Sequence, residues 1–181
     1  MRNAFQSAVG LLLALMLGGC FESERPLIAA QDADYPFERG FHYTLYEWNK
    51  QARNWEPSET GSVRRDRDHY VQLADVGGND AGDPFLLKSI GDNYYIAQKS
   101  DNSSSIYIYD LIRINGNIVY EYGLPCTDED RKFVAQGLID SFAVDSAGNK
   151  CAVSNLDKLA RVFRAIVAER PQPQGMYGLD K

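Results

Sequence analysis

Two histidines and three cysteines among 181 residues leave few of the rare side chains that usually announce catalysis. His42 and His69 belong to no H-x-x-x-H or H-E-x-x-H spacing, which argues against a zinc hydrolase centre. No G-x-S-x-G elbow or S-x-x-K motif is present, so neither an acyl hydrolase nor a penicillin-binding enzyme is indicated. A basic excess is also missing, with 19 Lys and Arg against 25 Asp and Glu and a net charge of −6. That balance argues against nucleic acid, whose phosphates demand a basic patch. Blocks of like charge are absent too. Arg64-Arg65-Asp66-Arg67-Asp68 mixes both signs and reads as a solvated strand edge or turn. A faint echo between residues 68–72 and 93–98 is what two hairpins of similar design produce by chance, and there is no low-complexity tract. The expectation from these absences is a non-enzymatic protein that needs no cofactor and no metal.

The longest uncharged apolar run, residues 8–17, is too short to cross a bilayer, which takes roughly 20 such residues. It follows the positive charge of Arg2 and ends in Leu17-Gly18-Gly19-Cys20. A basic start, a short apolar centre and small residues at the end describe an export signal. Leu17-Gly18-Gly19-Cys20 resembles the lipobox of bacterial lipoproteins. The resemblance implies cleavage by signal peptidase II between Gly19 and Cys20, and a diacylglyceryl thioether with palmitate-type chains on Cys20. Phe21, which follows, is not the Asp that retains lipoproteins of enteric-type bacteria in the inner membrane. The resemblance therefore favours a periplasm-facing anchor in the outer membrane. The chain then divides into a signal (1–19), a lipidated tether (20–26) closed by Pro26, one domain (27–170) and a flexible tail (171–181) rich in Pro and Gly.

With Cys20 assigned to lipid, Cys126 and Cys151 remain as a pair in an oxidising compartment. Closing a loop of about 26 residues stabilises by roughly 3–4 kcal/mol in the loop-entropy model. A redox role is the alternative, because each cysteine precedes an expected helix start. Redox pairs usually sit two residues apart, so the spacing here favours a structural disulfide.

Eleven Tyr and eight Phe with many β-branched neighbours favour strands through the middle of the chain. Residues 41–48 alternate, with Phe41, Tyr43 and Leu45 on one face and His42, Thr44, Tyr46 and Trp48 on the other. A turn at Asn49-Lys50 returns Trp55 as a partner, and 57–61 reads as a loop. Strands follow at 69–73, 85–90, 94–99, 106–114 and 117–122, with Asn115-Gly116 marking a type I′ hairpin turn. Short connections predict an antiparallel meander, and apolar residues on both faces suggest closure into a small barrel. Thr127-Asp128-Glu129-Asp130 predicts a helix start ended near Gly137, and Ser154-Asn155-Leu156-Asp157 opens a second helix with a Leu156, Leu159, Ala160, Phe163, Ile166, Val167 stripe. The expected fold is α+β: an antiparallel meander or barrel-like sheet with a C-terminal amphipathic helix packed on it.

Asp110 is the one anomaly in the pattern, since it interrupts an isoleucine face at 106, 108, 112 and 114. Buried without partners, a carboxylate costs several kcal/mol or takes up a proton. Three explanations are open: exposure at a bulge or rim, an internal Arg or Tyr partner, or a functional site. Tyr94, Tyr95, Tyr107 and Tyr109, with Trp48 and Trp55, form a candidate binding surface, against the commoner fate of core packing. Asp32 and Asp34 begin like a calcium loop but Pro36 and Phe37 occupy the next ligand and glycine positions. The glycine-rich run 77–80 is one weak copy of a repeat that needs several. The favoured expectation is a binding or structural module for a periplasmic protein or glycan, tied to the membrane by its lipid. One alternative is an inhibitor of an envelope hydrolase, as the chain is similar to lysozyme-inhibitor lipoproteins in size, anchor and disulfide-tied β-domain. The other is a small-molecule carrier or enzyme with a barrel cavity.

Overall fold

The computed structural model describes residues 21–74, 81–101, 105–145, 148–169 and 172–180; Gly19, Cys20, the rest of the lipobox and the run 77–80 lie outside them. Among the described residues eleven strands are seen: β1 (Phe21–Ser23), β2 (Gly40–Asn49), β3 (Asn54–Asp66), β4 (His69–Ala74), β5 (Ala81–Gly91), β6 (Tyr94–Asp101), β7 (Ile106–Asn115), β8 (Ile118–Tyr122), β9 (Ser141–Asp145), β10 (Gly148–Ala152) and β11 (Gly175–Leu179). Two α-helices accompany them, α1 (Arg131–Ala135) and α2 (Leu156–Glu169).

Strands β2 to β8 form an antiparallel meander in chain order, and β11 enters between β8 and β2. A further pairing of β6 with β7 closes the sheet into an eight-stranded barrel. Closure removes the open edges that a meander would expose. At its N-terminal half β7 also pairs with β1, which lies parallel to β10, and β9 completes this annex.

Alternation along the strands produces two cores. Tyr43, Leu45, Val63, Tyr70, Leu87 and Ala97 face the inside of the barrel. The opposite faces of β6 and β7 contribute Ile96, Tyr109 and Leu111 to a second, larger cluster with Phe21, Phe133, Leu159, Val162, Phe163 and Ile166. Phe163 meets Phe21 edge to face at 5.1 Å. Cys126 and Cys151 form a disulfide with both cysteines buried in this cluster, their Cα atoms 5.8 Å apart. Capping works as the sequence indicates: the Thr127 N–H and hydroxyl donate to the Asp130 carboxylate at 2.7 and 3.0 Å, and Asn155 Oδ1 accepts from the Lys158 N–H.

Four local expectations are corrected. The C-terminal segment expected as a flexible tail supplies β11, because Tyr177 fills the barrel interior and its backbone pairs on both sides. The tether expected at 20–26 is in the sheet from Phe21, whose ring is fully buried. Residues 57–61 are strand rather than loop: Ser58 is the extra residue of a bulge opposite Leu45 and Tyr46, and Pro57, lacking an N–H, sits beside it. The β7–β8 turn is Gly116-Asn117, with positive φ only at Gly116, which fits a II′ turn. The turn with two positive φ values is instead Asp92-Asn93, between β5 and β6.

Candidate functional site

The barrel interior is not solid. A cavity of about 100 Å³ opens between β2, β5, β6, β7, β8 and β11, walled by Phe37, Phe41, Tyr43, Phe85, Ile112 and Tyr177. Two small residues make the space. Ala97 stands opposite Asp110 across the β6–β7 pair, where a larger side chain would fill the centre. At Gly61, a Cβ would collide with the hydroxyl end of the Tyr43 ring, so glycine lets that ring come close to β3.

Asp110 belongs to this interior. It shares the inward face of β7 with Ile112, and both its neighbour Ala97 and Ile112 line the cavity. It is 1% exposed, and neither carboxylate oxygen has a hydrogen-bond partner. Exposure at a rim is thereby excluded, and so is an internal Arg or Tyr partner. Burial lifts its carboxyl well above the usual carboxylate range, the charge of Glu121 pushes it further, and Lys99 pulls it back only in part.

Sequence reasoning singled out Asp110 and missed its companions. Lys99 (β6) and Glu121 (β8) each interrupt an inward apolar face, as Asp110 does on β7, and the same rule would have found them. Glu121 is raised by burial, with the Tyr177 hydroxyl and Lys99 drawing it down. Tyr177 Oη donates to Glu121 Oε2 at 2.7 Å, and burial together with that carboxylate raises the phenol. Lys99 Nζ lies 3.5 Å from Asp83 Oδ2, both side chains partly exposed. Gln72 Nε2 donates to the Tyr43 hydroxyl at 2.5 Å. Lys99 therefore pairs with Asp83 and acts through its charge on both Asp110 and Glu121 at an aromatic-walled space. Among the described residues, no three side chains are grouped to hold a metal ion.

The aromatic surface expected from the sequence is dispersed. Tyr109 is fully buried outside the barrel, where its hydroxyl bonds Ser23 Oγ at 2.7 Å and accepts from the Leu27 N–H. Tyr94 and Tyr107 pack on the same outer cluster, Tyr94 beneath the Arg113 guanidinium, while Tyr95 points inward. Of the six aromatics Trp48 stays most open, 45% exposed, and stacks edge to face on Trp55 at 5.6 Å near the β2–β3 turn. These residues do not form one face, because strand alternation sends neighbours to opposite sides. His42 points outward from β2, and His69 sits beside Asp68 at the β3–β4 turn, 3.0 Å away; neither lines the cavity. Asp34 accepts from the Ser89 N–H and pairs with Lys88, a structural role that joins the segment before β2 to β5. A second concavity, at Arg25, Leu27, Asp140 and Val153, carries no such unpaired group. No protein family, curated protein or solved structure matches this chain.

Proposed function

We propose that the protein is a lipid-anchored lipoprotein of the cell envelope whose barrel is a small-molecule binding module. The carrying observation is Asp110, fully enclosed beside an aromatic-walled cavity with both oxygens lacking a hydrogen-bond partner. A folded protein retains such a group at a cost of about 1–3 kcal/mol, and strongly perturbed carboxylates beside a cavity concentrate at functional sites. This favours the carrier class over the module for a periplasmic protein or glycan. The glycan reading retains one support, the exposed Trp48 against Trp55.

Anchoring rests on the lipobox resemblance at Cys20, and the favoured site is the periplasmic face of the outer membrane. Phe21 is held in β1, so an acyl group on Cys20 would have little slack and would keep the annex close to the lipid surface. The stripe of α2 in the outer cluster supports a helix laid against the wall of the sheet. Two measurements test the proposal. Labelled palmitate enters the native protein and not Cys20→Ser; equal labelling of both overturns the anchor. In a thermal-shift survey of small molecules, a stabilising compound loses its effect in Ala97→Phe, which fills the cavity. Survival of the effect in that variant overturns the barrel site.

A further inference from the structure

The chemistry of the barrel interior specifies more than a cavity. This inference rests on the barrel being the binding site. Three features select the charge of the occupant. First, Asp110 offers two oxygens with no donor, deep inside. Second, two carboxylates line this space, Asp83 and Glu121, and Asp110 adds a third just behind the wall, opposite the lining residue Ala97. They outnumber Lys99, the one cation among the described residues that line it, and that cation is 3.5 Å from Asp83 near the solvent side. Third, the walls are rings, with Phe41, Tyr43, Phe85 and Tyr177 presenting π-faces or edges to the same space. Carboxylate acceptors beside aromatic rings are a recurring setting for ammonium ions, whose charge the ring quadrupole also attracts.

We infer that the cavity takes a small organic cation, its ammonium bonded to Asp110 beside Glu121 and its apolar part against the aromatic wall. An anion is disfavoured by the surplus of carboxylates. A neutral apolar molecule leaves the Asp110 oxygens unpaired, and an unpaired buried polar group works against binding. Size narrows the class further. A cavity of about 100 Å³ is smaller than the roughly 150 Å³ that holds benzene, so a short alkylammonium fits and a drug-sized ligand does not.

Proton balance gives the inference its own signature. Asp110 is protonated over a wider pH range than an ordinary carboxylate, with Glu121 on β8 reinforcing this and Lys99 on β6 opposing it. Asp83 on β5 is paired with Lys99, and Tyr177 on β11 is bonded to Glu121. When an ammonium docks, the Asp110 O–H bond breaks, its proton passes to the buffer, and the carboxylate and cation remain as an ion pair. The binding heat of a cation therefore changes with the ionisation enthalpy of the buffer, and that of a neutral molecule does not.

The experiment is calorimetric titration of the purified protein with n-butylammonium, n-butanol and butyrate, which differ chiefly in charge. The expected result is binding of n-butylammonium at least about tenfold tighter than n-butanol, since one strong ion pair is worth more than about 1.4 kcal/mol in an enclosed site. Butyrate binds weakest. Asp110→Asn brings n-butylammonium down to the level of n-butanol. Lys99→Met moves affinity the other way, because it removes the competing cation while leaving Asp110 in place, and it serves if Asp110→Asn does not fold. Binding of n-butanol or butyrate as tight as n-butylammonium overturns the charge assignment and leaves the barrel site standing. Failure of all three to bind at millimolar concentration overturns both. Weaker n-butylammonium binding by Lys99→Met also counts against the inference.

Discussion

Replacing Asp110 by Asn should make the free protein more stable, and by an amount that depends on pH. Native Asp110 is either charged inside the barrel or protonated with its hydrogen bonds unmade. In the unfolded chain its pKa is near the ordinary value of about 3.9. Its folded value is raised, so between the two the native state binds more protons than the unfolded state. Stability accordingly falls as pH rises from about 4 through the raised value, and levels off above it. The Asp110→Asn side chain cannot ionise, so the variant lacks this slope. Leaving a buried polar group unsatisfied costs about 1–3 kcal/mol, and more when it is charged. The new amide is itself without partners, so only the charge-related part is relieved, roughly 1–2 kcal/mol. For a chain of this size that is a Tm increase of about 2–8 °C at pH 8, shrinking toward zero at pH 4. Glu121 keeps its burial and its Tyr177 bond in both proteins, and Tyr177, raised above its ordinary range, stays protonated throughout, so their own contributions largely cancel in the difference. Melting curves followed by circular dichroism at the two pH values decide the matter. A variant less stable than the native protein at pH 8, or a difference of equal size at both pH values, would show that Asp110 is not an uncompensated buried acid.

Three other perturbations probe the frame around the cavity. Truncation after Arg170 removes β11, opens the barrel and leaves one edge each of β2 and β8 unpaired, so part of the β-sheet dichroism and the cooperative melting should be lost; an unchanged melt would mean that the tail is dispensable after all. Gln98 accepts from the Leu27 and Ile28 N–H groups at 2.7 and 2.8 Å and donates to the Ile28 carbonyl at 3.0 Å. Gln98→Leu orphans these backbone groups and should cost about 2–4 kcal/mol in urea denaturation, with faster hydrogen exchange at Leu27 and Ile28; protection that stays native would contradict the clamp. Replacing both Cys126 and Cys151 by Ala should lower stability by about 2–5 kcal/mol without changing ligand affinity, since the disulfide lies outside the barrel; a large change in affinity would couple the two cores.

Much of this protein is local information, and local information is what a sequence carries openly. Alternation of apolar residues from Phe41 to Tyr122 set the meander, because side chains two apart in a strand must share a face. The spacing of Cys126 and Cys151 pointed to a structural pair, and the acidic Thr127–Asp130 turn and the Asn155 cap marked the helix starts. Asp110 stood out for the same reason, as one polar residue in an isoleucine row. What escaped was every property created by contact between segments far apart in the chain. Residues 175–179 hold two glycines and few strong strand formers, and become β11 only because β2 and β8 present matching edges. Phe21 reads as part of the 20–26 tether until Phe163 supplies the ring that packs against it. The candidate site is of this second kind. Lys99, Glu121, Tyr177 and Asp110 lie on four different strands, and it is closure of the barrel through the β6–β7 and β8–β11–β2 pairings that turns their scattered charges into one interior.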